Sequence, residues 1–520
     1  MVRSGMRNQG TMAAALLASL LPARAWAQDA PAEPAGIGAN LGALNRAFGD
    51  YVVGPLGDVL FFDVLFWDNG DDPNTQLPFI VAWLVIGATF FTFRFGLINL
   101  RAFRHAWAVT AGHFDRPDDP GEVTHFQALS SALSATVGLG NIAGVAVAVG
   151  VGGPGAVLWM VVGGFLGMSS KFAECTLGQM YRDRSEDGHI LGGPMRYLQR
   201  GLAEQNMPRL GRFLSVLFAV MCIGGSLGGG NMFQANQSYA QVALVLPFLD
   251  SGWGALVYGV FVAVLVGLVI IGGIRRIGRV ASIIVPAMVG IYLCAGLFIL
   301  ITNADQIGPA FRQIFEEAFT PKAGLGGFVG VLVTGFRRSA FSNEAGVGSA
   351  AIAHSAAATS EPVREGIVAL LEPFIDTIVV CTMTGLVVVV TGAYANGPEE
   401  GVLMTSKAFA SVLPWFPKVL SLAVFLFAFS TMISWSYYGE RCWTSLFGSH
   451  TSIVYKLLFL ACVILGSVLK LANVVDFSDL MILGMSFPNI LGVYILSGRV
   501  RARLDDYWSR YKSGQMQPER

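Results

Sequence analysis

Charge is what this 520-residue sequence has least of: only 13% of its residues are Asp, Glu, Lys or Arg, and acids and bases balance at 34 each. A water-soluble chain of this length needs polar side chains over its whole surface, and 54% apolar residues with a mean hydropathy of +0.59 leave too few. A lipid bilayer is therefore the expected solvent. With no net charge and no basic run interleaved with aromatics, nothing is present to follow a phosphate backbone, which excludes nucleic acid as a partner. The 6 cysteines (Cys175, Cys222, Cys294, Cys381, Cys442 and Cys462) stand apart from one another without CxxC spacing. They read as packing residues rather than disulfides or metal ligands, and no cofactor is implied. HExxH, GxSxG and paired-aspartate constellations are absent too, so an intramembrane enzyme has no candidate nucleophile or metal, and a carrier or channel is left.

What the chain does have is long apolar runs. Arg3 and Arg7 precede the apolar stretch Met12 to Leu21, and Ala25-Trp26-Ala27 offers small residues at a cleavage spacing. Residues 1–27 thus read as a signal peptide, with an uncleaved short anchor as the alternative, and 28–76 as a periplasmic segment. Runs long enough to span follow at Leu77 to Phe95, Phe126 to Gly150, Gly155 to Tyr181, Phe213 to Tyr239, Trp253 to Gly273, Val280 to Ile301, Leu325 to Ile352, Gly366 to Tyr394, Val419 to Tyr438, Ile453 to Leu469 and Val474 to Leu496. The fold class is an all-α polytopic membrane protein with about 11 transmembrane helices: an extra one at 77–97, ten in a core at 124–497, then a cytoplasmic tail at 498–520.

Loop charges set the orientation, because arginine-rich short loops stay inside. Alternate loops carry Arg101, Arg104 and Arg116; Arg182, Arg184, Arg196, Arg200, Arg209 and Arg212; Arg275, Arg276 and Arg279; Arg364; Arg441; and Arg499, Arg501 and Arg503. The opposite loops hold only Arg46, Arg312, Lys322, Lys407 and Lys470. The expectation is a multi-pass protein of the cell inner membrane with its N-terminus outside and its C-terminus cytoplasmic. Amphipathic stretches at Ala310 to Phe319 and Met404 to Leu413 fall on the outer side, and a short helix within Gly192 to Leu202 on the inner.

Two spans are unlike the rest. Ser134-Ala135-Thr136-Val137-Gly138-Leu139-Gly140-Asn141 interrupts the first helix of the ten, and Phe341-Ser342-Asn343-Glu344-Ala345-Gly346-Val347-Gly348 interrupts the sixth. Glycines beside polar residues at mid-membrane depth leave backbone groups open, which is tolerated only around a cavity. Matching breaks in two five-helix halves point to a 5+5 inverted-repeat transporter with its site between them. Close packing alone accounts for glycine pairs such as Gly163-Gly164, but not for Asn141, Asn343 and Glu344 beside the breaks. The eighth core helix adds Ser430 and Thr431 at mid-span, where back-bonding to its own carbonyls is the rival role.

The segments Val137 to Ala146 (VGLGNIAGVA), Gly152 to Met160 (GGPGAVLWM) and Phe341 to Ala350 (FSNEAGVGSA) together resemble the alanine or glycine:cation symporter family, over about Leu77 to Arg503. Leu158 and Val161 depart from the Phe and Trp usual there, and Leu139 from a common Thr. The resemblance implies a fold similar to that of the sodium-coupled neurotransmitter transporters, and uptake of alanine or glycine with sodium. It further implies that the Leu139 and Gly140 N–H groups face the substrate carboxylate, and that Phe341, Ser342 and Asn343 of the second break line the same space. Carbonyls of Ser134, Val137 and Phe427 with Ser430 and Thr431 would hold one sodium, and Thr136 with Asn141 would contribute to a second. Proton coupling on the same fold is the alternative.

Beyond the breaks, Asn231 and Gln234 lie one turn apart on one span and either close over the substrate or pack between helices. Lys171 and Glu174, three apart, are expected to pair with each other, and the like-charged Glu372 and Asp376 to take Arg337 or Arg338 as partner. Every histidine (His105, His113, His125, His189, His354, His450) falls in or near a cytoplasmic loop, which speaks against a histidine relay inside the membrane. Phe233, Phe341 and Trp435 are the candidate walls of the pocket.

Overall fold

Backbone in hydrocarbon has to satisfy its own N–H and C=O groups, and this chain does so with helices. The computed structural model describes residues 54–64, 77–184, 190–250, 252–319, 324–395, 401–412, 415–468 and 471–516. The expected signal peptide at 1–27 and most of the segment after it lie outside the described residues. The helices that position the site are α1 (Phe79–Arg94), α2 (His125–Thr136), α3 (Gly140–Gly152), α4 (Ala156–Met180), α5 (Pro194–Ala203), α6 (Pro208–Val245), α7 (Gly254–Ile270) and α8 (Gly273–Thr302). They are followed by α9 (Ala304–Phe319), α10 (Gly324–Asn343), α11 (Ala350–His354), α12 (Pro362–Val390), α13 (Val402–Ala410), α14 (Phe416–Phe447), α15 (Ser452–Val468) and α16 (Leu471–Lys512).

Among the described residues, 7 stretches are long and apolar enough to cross a membrane, and the bent pair α2–α3 makes an eighth; α1 and α7 are apolar but shorter. This is a multi-pass membrane architecture. Its outer surface agrees: Phe261, Val264 and Leu268 of α7, Ile283 and Ile301 of α8 and Leu457 of α15 are each more than half exposed, an apolar belt that only lipid covers. Five of the cysteines are buried, and Cys294 lies on the exposed face of α8.

Helix ends show why each element starts where it does. Thr124 opens α2 with a capping box, its hydroxyl accepting from the Gln127 N–H at 3.2 Å while the Gln127 side chain accepts from the Thr124 N–H at 3.1 Å. Pro194 occupies the first turn of α5, where a missing N–H costs nothing. The expected amphipathic segments are helical, as α9 and α13, and α16 runs unbroken from the last span as far as Lys512.

The middle of the bundle is α4, which packs against α1, α10 and α12. Small residues allow this closeness, since apolar side chains gain little by leaving lipid and contact area is what holds membrane helices together. A Cβ on Gly366 of α12 would come within 2.7 Å of the Phe172 carbonyl, and one on Gly466 of α15 within 2.5 Å of the Met232 backbone. At Gly230 of α6 the neighbour is the Trp435 ring of α14, 2.2 Å from where a Cβ would stand. Gly230→Ala should therefore displace Trp435 and cost about 1–3 kcal/mol of stability by overpacking. Thermal unfolding in detergent, compared with the parent, measures the loss.

Candidate functional site

The first break begins where α2 runs out of intrahelical partners. The Gly138 N–H turns to the Asn141 side-chain oxygen at 3.0 Å, and the Leu139 N–H to the Gln234 side-chain oxygen on α6 at 3.2 Å. α3 then restarts with a widened turn over Gly140–Gly144, and the two halves meet at 52°. Gly138 and Gly140 are small because neighbours press on them: a Cβ on the former would lie 2.6 Å from the Thr431 hydroxyl, and on the latter 3.4 Å from the Phe341 ring.

The second break lies between α10 and α11. Glu344, Gly346 and Gly348 all adopt left-handed backbone, at φ of 54°, 88° and 92°, and for Glu344 that is strained. Side chains satisfy what the backbone leaves open. Asn343 accepts from the Ala345 N–H at 2.9 Å, and the Gly346 carbonyl accepts from the Asn489 amide of α16 at 2.8 Å. The Glu344 carboxylate accepts from the Trp435 indole at 3.1 Å and from the Ser349 hydroxyl.

The two breaks meet at Asp376 of α12, a fully buried carboxylate. Its oxygens accept from the Asn141 amide at 2.5 Å, the Ser342 hydroxyl at 2.5 Å and the Thr377 hydroxyl at 2.8 Å. Asn141 also donates to Ser342 at 3.0 Å, and the Asn141 carbonyl accepts from the Thr384 hydroxyl at 2.9 Å. Among the described residues no lysine, arginine or histidine pairs with Asp376; every partner is neutral. Beside this cluster the Phe233 and Phe341 rings meet edge to face at 5.6 Å.

A second set of oxygens lies where α2 meets α14. The Thr431 hydroxyl donates to the Ser134 carbonyl at 3.0 Å, the Ser134 hydroxyl to the Ser430 carbonyl at 2.6 Å, and the Ser430 hydroxyl to the Phe427 carbonyl at 3.0 Å. Thus Ser134, Phe427, Ser430 and Thr431 are brought together, with Val137 at the cap that ends α2. Thr136 is turned back on its own helix, to the Ala132 carbonyl at 3.3 Å. Gln234 reaches the first break, whereas the Asn231 amide donates to the Phe459 carbonyl of α15 at 2.7 Å, the packing role. Asn343 is tied to Ser339 and Thr377 at 3.1 and 2.9 Å and braces the break.

Two expectations about charge are corrected. Lys171 pairs not with Glu174 but with Glu372, at 2.9 Å with both ends buried, while Glu174 accepts from the Asn489 amide at 2.8 Å. Arg337 and Arg338 reach neither Glu372 nor Asp376; they hold Asp479 of α16 at 2.6 and 3.0 Å. Long side chains cross between helices more easily than they bend along one, and sequence spacing reports only the latter. His125 and His354, placed near loops by the sequence, are buried, and both bond to Glu365, a carboxylate the sequence reading passed over beside Arg364.

Two interrupted membrane helices whose open backbone converges on a buried polar cluster define a solute carrier. Comparison with known proteins agrees: the family model described as "Sodium:alanine symporter family" matches residues 68–520. A sodium/alanine symporter of Methanococcus maripaludis is 39% identical over 427 residues, covering 81% of this chain and 92% of the relative. A probable sodium/glutamine symporter of Bacillus subtilis is 32% identical over 470 residues, covering 89% and 92%. A solved structure of MhsT in complex with L-phenylalanine aligns at a TM-score of 0.48 and 14% identity, over 74% of this chain and 99% of that one. The chain belongs to the sodium:alanine symporter family and is a transporter, not an enzyme.

The Lys171–Glu372 pair makes a sharp prediction. Removing one member strands a charge, so Lys171→Met should lose about 3–5 kcal/mol of stability, and the double variant Lys171→Met/Glu372→Leu should regain most of it. Thermal unfolding of Lys171→Met, Glu372→Leu and the double variant, against the parent, completes the cycle.

Proposed function

We propose that this transporter takes up a small neutral amino acid, alanine or glycine, together with sodium, by alternating access. The observation that carries the reading is Asp376: a buried carboxylate between two helix breaks, bonded only to neutral groups, needs a cation. Sodium is a hard ion that takes oxygen ligands, and carboxylate, hydroxyl and carbonyl oxygens surround this point. The set at Ser134, Phe427, Ser430 and Thr431 is the candidate for a second ion, and its present hydrogen bonds are the ones a cation would replace.

The substrate reading follows from the same break. A carboxylate approaching the start of α3 meets the N–H groups of Leu139 and Gly140 at the positive end of a helix dipole. The Gln234 oxygen, now on Leu139, marks where an anionic oxygen is accepted, with Ser342 across the break. Phe233 and Phe341, whose rings meet edge to face at 5.6 Å, are the candidate walls that would hold the substrate side chain to about a methyl group. Equivalent helices of the two five-helix halves also pack together, α4 with α12, α6 with α14 and α7 with α15, as a twofold repeat of the ten-helix core would have it. The loop arginines favour an inner-membrane orientation with the C-terminus inside. Proton coupling is the second reading, since a proton on Asp376 also removes the buried charge.

Uptake with and without a sodium gradient at fixed pH separates the two ions. If sodium is the ion, Asp376→Asn and Thr431→Ala should each raise the sodium concentration for half-maximal uptake about 10-fold or more, as loss of a hydrogen bond or ligand to a charge implies. Unchanged sodium dependence in both overturns the assignment.

The relatives' names include alanine and glutamine, so substrate size is the open variable. Competition should rank alanine and glycine well ahead of leucine and phenylalanine, because repacking for a branched side chain costs about 1–3 kcal/mol. Leucine competing as well as alanine would remove the small-substrate reading.

A further inference from the structure

The half-helices α2 and α11 have their free ends on the arginine-rich side, and there the chain ties them to each other. The Glu122 N–H donates to the Ala356 carbonyl at 2.8 Å, and the Ala358 N–H to the Val123 carbonyl at 2.8 Å. Arg182, following α4, bridges both strands by donating to the carbonyls of Pro120 at 2.7 Å, Ser355 at 2.9 Å, Ala357 at 2.6 Å and Thr359 at 2.6 Å. The two half-helices are thereby one mechanical unit.

What fastens this unit to the rest is Glu365 of α12. One of its oxygens takes His125, the first residue of α2; the other takes His354, the last residue of α11, at 2.5 Å. Each histidine has a second carboxylate facing its Nε2: Asp115 at 3.8 Å for His125, and Glu372 at 3.6 Å for His354. Among the described residues, all four of these facing atoms are buried without a hydrogen-bond partner, so each pair is an acid and a base set face to face. Asp115 is 41% exposed at its side chain and connects the row to water.

Charge decides what occupies the row. The anions are Asp115, Glu365 and Glu372, and Lys171 of α4 is the fixed cation. Two protonated histidines together with Lys171 match these three carboxylates; without the two protons, the three carboxylates share one lysine. Around the row, Glu174 and Glu344 accept from neutral donors and do not bond to it, Asp119 faces Arg364, the Arg182 guanidinium donates to backbone carbonyls on the loop side, and Cys175 completes the surroundings on α4. Asp376, one turn beyond Glu372, is held by neutral donors.

We propose that Glu365 with His125 and His354 is a proton-binding latch on the arginine-rich face, which holds α2 and α11 shut against α12 while the histidines are protonated and frees them as pH rises. It is independent of which ion and amino acid are carried.

Hydrogen exchange on the intact wild-type protein at pH 6 and pH 8, corrected for intrinsic rates, reads the latch without substrate. Protection of residues 119–130 and 350–360 should fall at least fivefold at pH 8 while that of α4 stays constant. Glu365→Gln should give at pH 6 the exchange the parent shows at pH 8. In the double variant His125→Gln/His354→Gln the dependence of this protection on pH should vanish. Equal wild-type protection at the two pH values, or a pH dependence that survives in the double variant, overturns the proposal.

Discussion

Everything near the site follows from one constraint: a helix interrupted in the middle of a membrane leaves amide and carbonyl groups that no water can satisfy. This chain meets the constraint with side-chain amides. Asn141 covers Gly138, Gln234 covers Leu139, Asn343 covers Ala345, and Asn489 reaches from α16 to cover Gly346. Each amide belongs to a different packing contact, so the breaks are held open by the helices around them. Asp376 then joins the two breaks through Asn141 and Ser342, and a movement at one is felt at the other.

The backbone half of this was legible in the sequence. Interrupted helices declare themselves by glycines among polar residues, and the breaks, the amphipathic segments α9 and α13 and the short helix α5 fall where such patterns occur. The seam of Ser134 with Ser430 and Thr431 came only through a family likeness, since nothing in the spacing of residues 296 and 297 apart tells that two helices touch. What sequence could not supply was the direction of long side chains. Lys171 has an acid three residues away and chooses another on α12; Arg337 and Arg338, expected at Glu372 or Asp376, turn to Asp479. Spacing along one helix is a weak guide when four helices surround a charge.

The same reasoning explains why Glu365 escaped notice. It sits beside Arg364 at the mouth of a span, where an adjacent pair of opposite charges looks like a solvated loop end. In the fold Arg364 turns to the Phe114 carbonyl at 2.9 Å, leaving Glu365 to the histidines. Adjacent residues on a helix point about 100° apart, so such pairs seldom serve each other.

The extra helix α1 acquires a purpose from its neighbours. Leu84 of α1 and Ile490 of α16 crowd Gly346, where a Cβ would stand 2.8 Å from the former and 3.1 Å from the latter. The second break, which would otherwise look onto acyl chains, is faced with protein on that side. Its hydrogen bonds are therefore insulated from the thickness and fluidity of the surrounding lipid, and the working part of the molecule carries its own solvent wall from one membrane to another.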